Sequence, residues 1–505
     1  MAEIEMSRRG FLGLTGLVAA SAGLVGNKIP KVVQQLLQQE EAKMTVKPVR
    51  KFDFNDLKTF THELDLPRRT QDYNLVFVMI DTLRADFLGC YGNGIIQTPH
   101  IDRLASQGVM FSNAWGASMP TIPARRVFAT GMDYQNEIDF KNSWCPLRTQ
   151  DITLAEYLNS AGFITHFISD NFQYWRIPGM SNFEKVFGSY ERARGQMDDA
   201  HKFVVSEDPD LSMFPEDIIS QLPDELEGRL LKRSKKELDY GKGVIAQYLA
   251  NNPLEGGQPN IDLFGKARTF LKDYSIRGGN TPFALVLDCY QTHEVWDPPK
   301  KFRELYLKKA PGWGDRPMFG FFSISENVPE EHAEVAKALY SGEVSFVDHT
   351  LGTLLDELAN LGLADNTIVA LVADHGTLLG EEGYVGKNIK YLSPDITRLP
   401  LIIKHPDFEG GIKISDLVSA ADLMPTFLSL LGVELQRGVD GKNLWDLVSG
   451  YGPIHNQLTM LYFANEYQNY TEKSIAITNG KFYGVNPINN YPGNTGMMYF
   501  DLNID

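Results

Sequence analysis

The chain has 505 residues, of which 43% are hydrophobic and 22% charged, and its formal net charge is −16. This composition excludes a disordered protein, because so long a chain can bury a large core and is expected to form more than one structural unit. The acidity excludes a general nucleic-acid-binding protein, which needs a basic face, and it means that any anion site must supply its own local cations.

The N-terminus is similar to an export signal. Arg8 and Arg9 precede a Gly/Ala-rich apolar run, and residues 20–22 (Ala-Ser-Ala) offer a small-residue cleavage site. The run is too short and too rich in glycine for a transmembrane segment, and no later apolar stretch reaches membrane-spanning length. We expect residues 1–26 to be a twin-arginine signal peptide read by the Tat export machinery, which would place the mature protein in the periplasm or outside the cell. The alternative is a chance arginine pair before a buried helix. Residues 27–69 are polar and predict a linker.

Four apolar runs predict the strands of a central sheet: LVFVMID (75–81), FALVLD (283–288), TIVALVAD (367–374) and LPLIIK (399–404). Continuous apolar runs of this length are typical of strands buried on both faces. Helical patterns lie between them, with apolar residues at spacings of three and four over 344–358. This alternation predicts an α/β fold with a central, mostly parallel sheet flanked by helices.

Two further regions differ in character from that pattern. Residues 186–260 are charged and lack long apolar runs, so we expect a helical insertion over or beside the sheet, within an α/β domain spanning 70–435. Asn479-Gly480 separates two alternating runs, which is typical of a β-hairpin. Residues 436–505 are therefore expected to form a small antiparallel C-terminal subdomain.

Acidic residues end several of the predicted strands. Sheets of this kind bind ligands beyond the carboxyl ends of their strands, where Asp81 and Asp374 lie, and Asp288 ends a third strand. Two carboxylates with the adjacent His375 are suitable ligands for one divalent cation.

The stretch SMPTIPARRVFATG (118–131) predicts an anion site at the start of a helix. Thr121 would lie there with Pro123 in the first turn, where free backbone N–H groups favour an anion. Arg125 adds a bidentate partner for a tetrahedral oxyanion. Arg126 and His405 are expected to lie on the surface or behind the site.

Taken together, these segments resemble the sulfatase family within the alkaline phosphatase superfamily, from about Asn74 to the C-terminus. The residues Thr121-x-Pro123-x-Arg125, followed by Thr130-Gly131, are similar to the family signature Cys/Ser-x-Pro-x-Arg…Thr-Gly except at its first position. The other matching segments are Asp374-His375-Gly376, Gly386-Lys387, THEVWDPP (292–299) and MMYFDLNID (497–505).

The resemblance implies a metal-dependent hydrolase with a sulfatase-like catalytic domain. It implies one divalent metal ion (Ca, Mn, Mg or Zn), with the ligands Asp81, Asp374, His375 and Thr121. It further implies that Arg125 and Lys387 stabilise a small-molecule anionic ester substrate, while His293 protonates the leaving group.

Three positions depart from the family pattern. Thr121 stands where sulfatases carry the Cys or Ser that becomes formylglycine; oxidation of threonine would give a ketone instead, so formylglycine is not expected. Thr82 stands where many sulfatases have another metal-binding Asp, and Asp170 and Asn171 lie in SDNFQYW (169–175), where Gly-Lys-Trp-His is usual. Superfamily members that act on phosphate diesters, phosphonates or phosphoethanolamine lipids resemble this chain in using an unmodified threonine.

The first hypothesis is therefore a hydrolase that cleaves phosphate (di)esters or sulfate esters, with Thr121 as nucleophile. One alternative is a phosphoryl head-group transferase, although related transferases usually carry several membrane helices. Another is a non-catalytic binding protein with the sulfatase fold. The roles of Thr82 and Asp288, the leaving group and the oligomeric state stay open at this point.

Overall fold

The structure is a computed structural model that describes residues 70, 72–133, 146–176, 182–197, 199–202, 244–253, 257–310, 312–319, 325–326, 328–387, 392–463, 473–487 and 498–502. The predicted signal peptide and linker lie outside these residues, as does most of the predicted insertion. Export through the twin-arginine pathway and the domain boundaries therefore stay predictions. Within the part described, no helix is both long and apolar enough to cross a membrane.

The strands, in chain order, are β1 Asn74–Ile80, β2 Val109–Phe111, β3 Ala114–Trp115, β4 Ser118–Met119, β5 Ile164–Ser169, β6 Ser189–Arg192, β7 Phe283–Cys289, β8 Ser325–Glu326, β9 Thr367–Ala373, β10 Leu378–Leu379, β11 Tyr384–Gly386, β12 Arg398–Leu399, β13 Leu401–Lys404, β14 Ile412–Ile414, β15 Val418–Ser419, β16 Leu458–Phe463, β17 Lys473–Thr478, β18 Phe482–Pro487 and β19 Met498–Asp501. The α-helices are α1 Pro99–Ser106, α2 Thr121–Thr130, α3 Leu154–Ser160, α4 Gln173–Arg176, α5 Asn182–Lys185, α6 Gln258–Ile276, α7 Lys300–Tyr306, α8 Glu330–Asn360, α9 Pro394–Thr397, α10 Leu423–Leu430 and α11 Trp445–Val448. Residues 244–251 are also helical.

The main sheet has eight strands in the order β14-β2-β13-β9-β1-β7-β5-β6. The four strands β9, β1, β7 and β5 run parallel, and β6 extends them in the same direction. The predicted α/β fold with a mostly parallel central sheet is confirmed. The run at 399–404 differs from the other three, because β13 pairs antiparallel with β9.

Strand β1 contributes side chains to both faces of the sheet. Phe77 and Met79 join the core under α2, α3 and α10, whereas Val78 and Ile80 join the core under α6 and α8. Burying each such side chain stabilises the fold by about 1.5–3 kcal/mol. The unbroken apolar run reflects this two-sided burial, since neither face of the strand meets water.

Part of the region predicted as a helical insertion is instead the edge strand β6. It pairs with β5 from His166↔Ser189 to Ser169↔Arg192, and its side chains are exposed or half-buried. A short polar strand is suited to a sheet edge, where charged side chains discourage pairing with another chain. The prediction failed here because a four-residue polar strand carries no hydrophobic period.

The C-terminal residues form a second sheet, with the order β19-β18-β17-β16-β4. Its strands β16 to β19 pair antiparallel, and Gly480 takes a φ of +83° in the turn between β17 and β18. The predicted hairpin and small antiparallel sheet are confirmed. Strand β4 joins this sheet through parallel pairing with β16 (Ser118↔Leu461, Met119↔Tyr462), so the sheet supports the strand that immediately precedes Thr121.

One of the two positions that the sequence suggested for Arg126 was the surface. The structure shows instead that Arg126 is buried. All ten residues of helix α2 are buried, so each polar side chain on it needs an internal partner. Arg126 donates to both carboxylate oxygens of Asp151, at 2.6 Å from Nε and 2.9 Å from Nη2. The pair is a buried structural ion pair.

We expect the substitution Asp151→Ala to lower the free energy of unfolding by about 3 kcal/mol, because it removes a buried carboxylate that pairs with the Arg126 guanidinium and accepts the Arg148 N–H. Urea unfolding of both proteins measures the difference. The control is Asp356→Ala, which breaks the exposed Arg103–Asp356 pair (2.9 Å) and should change stability by less than about 1 kcal/mol. Equal losses in the two variants would contradict this reading.

Candidate active site

The carboxyl ends of β1 and β9 bring three of the predicted cation ligands together. Ile80 pairs with Ala373, so the residues that follow, Asp81 and Asp374 with His375, lie side by side. All three are at most 1% exposed, and one ligand atom from each lies within 4.8 Å of the others. Gly376 is required next to His375, because a Cβ there would lie 1.9 Å from the main-chain oxygen of Asp395.

Thr121, the first residue of helix α2, faces this group. Its Oγ1 lies 3.3 Å from Asp81 Oδ2 and 3.5 Å from His375 Nε2. His375 Nδ1 is 2.9 Å from the main-chain oxygen of Gly376, which can only accept, so Nδ1 carries the proton and Nε2 keeps its lone pair. Burial lowers the pKa of His375 to about 4, which keeps the ring neutral.

The donor atoms fit a divalent cation. Asp374 Oδ1 accepts the N–H groups of Thr82 (3.0 Å) and His375 (2.8 Å), which leaves Oδ2 turned towards the site. Asp81 Oδ1 is buried and has no hydrogen-bond partner among the described residues. An orphaned carboxylate oxygen beside a second carboxylate and a neutral imidazole is the donor set that hard and borderline cations prefer.

Arg125 is held by acid side chains. Its guanidinium donates to Asp288 from Nε (3.2 Å) and Nη2 (2.6 Å), contacts Asp374 through Nη1, and lies 3.4 Å from Asp81 Oδ2. Tyr174 donates a hydrogen bond to Asp288 Oδ2 at 2.5 Å. Asp288, whose role the sequence left open, therefore anchors Arg125.

The pKa values of Asp81 and Asp374 are shifted in opposite directions. Burial and the nearby Asp374 carboxylate raise the pKa of Asp81 well above its ordinary value. Burial alone would also raise the pKa of Asp374, but Arg125 and His375 outweigh it and hold that pKa below the usual range. A second cation near Asp81 would thus let both carboxylates stay charged.

Lys387 and His293 form the other half of the site. Lys387 Nζ lies 2.6 Å from His293 Nε2, and His293 Nδ1 lies 2.6 Å from the main-chain oxygen of Glu294. The carbonyl requires a proton on Nδ1, so Nε2 accepts from the lysine ammonium. Burial lowers the pKa of His293 to about 3, and the ring is neutral at ordinary pH.

Sequence reasoning missed Glu294, whose carboxylate lies 3.4 Å from Lys387 Nζ and 3.3 Å from His293 Nδ1. Burial would raise the pKa of Glu294, but His293 and Lys387 outweigh it and lower it to about 2. The only signal in the sequence was its position next to His293. Adjacency in the chain does not show whether two side chains point into the same site.

The other departures from the family pattern also have defined partners. Thr82 Oγ1 is 3.3 Å from Thr292 Oγ1. Asp170 accepts from the main-chain N–H of Tyr290 (2.6 Å) and from Gln196 Nε2 (2.8 Å), so it links the ends of β5 and β7. Asn171 is fully buried, and its Nδ2 has no hydrogen-bond partner among the described residues.

We expect Asp374→Asn to weaken cation binding by at least about 100-fold, because it removes the charge of a ligand while keeping its shape. Isothermal titration of the metal-free protein with Mn²⁺, Ca²⁺, Mg²⁺ and Zn²⁺ in turn measures the affinity. Asp348→Asn is the matched control, since Asp348 is equally buried but binds the amides of His100 and Ile101. Unchanged binding in Asp374→Asn would count against this site.

The low pKa of His293 predicts how stability depends on pH. Between pH 6.5 and about 3 the unfolded chain binds a proton at this residue and the folded protein does not, so stability falls as pH falls through that window. The slope is at most about 1.4 kcal/mol per pH unit. Urea unfolding of the metal-free protein at pH 6.0 and 5.0 should show a shallower slope in His293→Asn than in wild type.

The control for this experiment is His349→Asn. His349 is exposed on α8. Partial burial lowers its pKa, but solvent screens its charge, so this variant should leave most of the slope intact. Equal slopes in wild type and His293→Asn would refute the prediction.

Comparisons with known proteins identify the family and the fold. The family model named Sulfatase matches residues 73–433. The chain is 26% identical over 399 residues to an arylsulfatase of Clostridium perfringens, which covers 74% of this chain and 78% of that protein. The fold is similar to that of a phosphonate monoester hydrolase of Agrobacterium radiobacter (TM-score 0.58, 17% identity, 85% of this chain and 89% of the other).

It is also similar to a protein solved in complex with its substrate D-glucosamine-2-N,6-O-disulfate (TM-score 0.61, 18% identity, 86% of this chain and 92% of the other). The family match extends over more than half of the sequence and includes Asp81, Thr121, His293, Asp374 and Lys387. The chain therefore belongs to the sulfatase family and is a hydrolase of ester bonds.

Proposed function

We propose that this hydrolase is metal-dependent and uses Thr121 as its nucleophile on an ester that carries one negative charge. The observation that carries the proposal is the position of Thr121 Oγ1 at the start of a buried helix, 3.3 Å from Asp81 Oδ2 and 3.5 Å from His375 Nε2. A hydroxyl so placed has proton acceptors within reach and lies beside the cation ligands.

Asp81, Asp374, His375 and Thr121 would hold the cation. When bound there, a divalent cation supplies Lewis-acid stabilisation of negative charge. Asp81 Oδ2 accepts the hydrogen bond of the Thr121 hydroxyl, which orients the oxygen lone pairs towards the ester and gives the hydroxyl proton a place to go. Arg125, fixed by Asp288, keeps these carboxylates in position.

Lys387 and His293 would serve the leaving group. Because His293 Nε2 accepts from Lys387, the proton of this pair resides on the ammonium in the free enzyme. A departing oxygen would take that proton either from Lys387 Nζ or through His293 Nε2. Glu294 accepts from the same ammonium at 3.4 Å and holds it close to the imidazole.

The charge of the site favours a singly charged ester. The site contains two cationic side chains, Arg125 and Lys387, and four carboxylates, those of Asp81, Asp288, Asp374 and Glu294. Its formal charge is therefore −2, which a divalent cation would bring to zero. A neutral buried site holds a monoanion at lower electrostatic cost than a dianion. Phosphate diesters, phosphonate monoesters and sulfate esters are monoanions, whereas phosphate monoesters are largely dianionic at neutral pH.

Among these esters we favour those of phosphorus. An unmodified threonine is the nucleophile that the sequence provides, and one similar structure is a phosphonate monoester hydrolase. The convergence of every predicted ligand on one buried point supports turnover over the binding-only alternative, because a site without turnover has no need for Lys387 hydrogen-bonded to His293.

The expected outcome is hydrolysis of bis(4-nitrophenyl) phosphate that exceeds that of 4-nitrophenyl phosphate, with 4-nitrophenyl sulfate assayed in parallel and metals added in turn. Thr121→Ala should lower kcat by at least about 1,000-fold, as expected for a nucleophile. Thr121→Ser keeps the hydroxyl and is the matched control, which should retain far more activity. Sulfate turnover that survives in Thr121→Ala would mean that another group is the nucleophile.

A product analysis with an added acceptor alcohol separates hydrolase from transferase. A hydrolase gives mainly the free acid of the phosphoryl group, because water completes the reaction. Transfer of the group to the alcohol as the main product would favour the transferase.

A further inference from the structure

The turn after β1 has an unusual backbone conformation. Thr82 has a φ of 56°, and among the described residues it is the one non-glycine residue with positive φ. The left-handed region is unfavourable for a β-branched side chain by about 1–2 kcal/mol. The turn follows Asp81 directly, and it aims the Thr82 N–H at Asp374 Oδ1, 3.0 Å away. The conformation of one strained residue therefore affects two of the cation ligands.

Tyr340 braces this turn from helix α8. Its hydroxyl donates to the main-chain oxygen of Thr82 at 2.7 Å and accepts the main-chain N–H of Arg84 at 2.9 Å. Tyr340 is fully buried, and its ring packs edge-on against Phe87 and Trp296, with centroids 4.9 and 5.7 Å away. Because the ring cannot move freely, the hydroxyl is a fixed point for the backbone from Thr82 to Arg84.

Thr292 holds the same turn from the loop that carries His293. Its N–H and its hydroxyl both donate to the main-chain oxygen of Asp81, at 3.0 and 3.1 Å. Thr292 Oγ1 is also 3.3 Å from Thr82 Oγ1. The peptide between Asp81 and Thr82 is thus clamped on one side by Thr292, while Tyr340 fixes the carbonyl of Thr82 on the other.

We propose that Tyr340 is a positioning residue for the cation site, because its hydroxyl holds Thr82 in the left-handed conformation that orients Asp81 and Asp374. This inference rests on the proposed function in one respect, namely that Asp81, Asp374 and His375 bind a divalent cation. Without the hydroxyl, the Thr82 carbonyl is released and Thr82 can relax towards negative φ. Only Thr292 then holds the Asp81–Thr82 peptide, so the hydrogen bond from the Thr82 N–H to Asp374 Oδ1 weakens and the two carboxylates lose part of their shared orientation.

The test is the affinity of the metal-free protein for Mn²⁺, measured by isothermal titration calorimetry. Tyr340→Phe removes only the hydroxyl and should weaken binding roughly tenfold, as is usual when a residue behind a metal ligand is lost. The matched control is Tyr274→Phe, which removes a comparable hydrogen bond to the main-chain oxygen of Gly279 (2.7 Å) from helix α6. The control should bind within about twofold of wild type.

A rescue variant separates positioning from general packing. Glycine adopts a φ near 56° without strain, so Thr82→Gly removes the need for the brace. The double variant Tyr340→Phe/Thr82→Gly should recover an affinity within about threefold of Thr82→Gly alone. Thermal unfolding of each metal-free variant reports whether it is folded. The double variant is expected to fold even if Tyr340→Phe does not.

The outcomes distinguish this inference from the function on which it rests. Wild-type protein that binds no Mn²⁺, Ca²⁺, Mg²⁺ or Zn²⁺ would overturn both. Wild type and Tyr340→Phe with equal affinity would overturn the inference and leave the proposed function intact. A loss in Tyr340→Phe that Thr82→Gly does not restore, or a double variant that fails to fold, would also overturn it, since the phenol would then act through packing.

Discussion

The site depends on the close approach of buried carboxylates at the end of parallel strands. Strand β1 lies between β9 and β7, and this order brings Asp81, Asp374 and Asp288 to one edge of the sheet with almost no exposure to solvent. Like charges at this separation repel strongly in a medium of low polarity. Arg125 relieves part of that repulsion by pairing with all three, and a divalent cation would relieve the rest.

The clustering of carboxylates gives the two positive side chains, Arg125 and Lys387, different partners. Arg125 is committed to the acids and is locked by Asp288, so it stabilises the arrangement of the ligands. Lys387 hydrogen-bonds with His293 and Glu294 instead, and is the cation better placed to meet a substrate or leaving group. The departures from the family pattern are consistent with this division, because Thr82 stands where many sulfatases have another Asp, and Asp170 and Asn171 lie in the segment where the family pattern has a lysine and a histidine.

The rest of the fold supports helix α2 and the turn at Thr82. Helix α2 is buried on every side, and the strand before it pairs with the C-terminal sheet, so Thr121 is held from both directions. The turn at Thr82 is held by Tyr340 and Thr292, which come from a long helix and from the loop of His293. Thr292 therefore connects the turn after Asp81 with the loop that carries His293.

The sequence by itself determined the fold class and predicted Asp81, Asp374 and His375 as candidate cation ligands at the strand ends. It could do so because a continuous apolar run indicates a strand buried on both faces, and an aspartate at its end indicates a position at the edge of the sheet. Both signals lie within a single short segment of the chain. It could not show that Asp288 anchors Arg125, from which it is 163 residues distant, or that His293 accepts a hydrogen bond from Lys387. It also left open whether Arg126 lies on the surface or behind the site, and it missed β6. Only the tertiary structure decided these pairings, because hydrogen bonds and ion pairs depend on which atoms meet in space, and no periodicity of the chain records that.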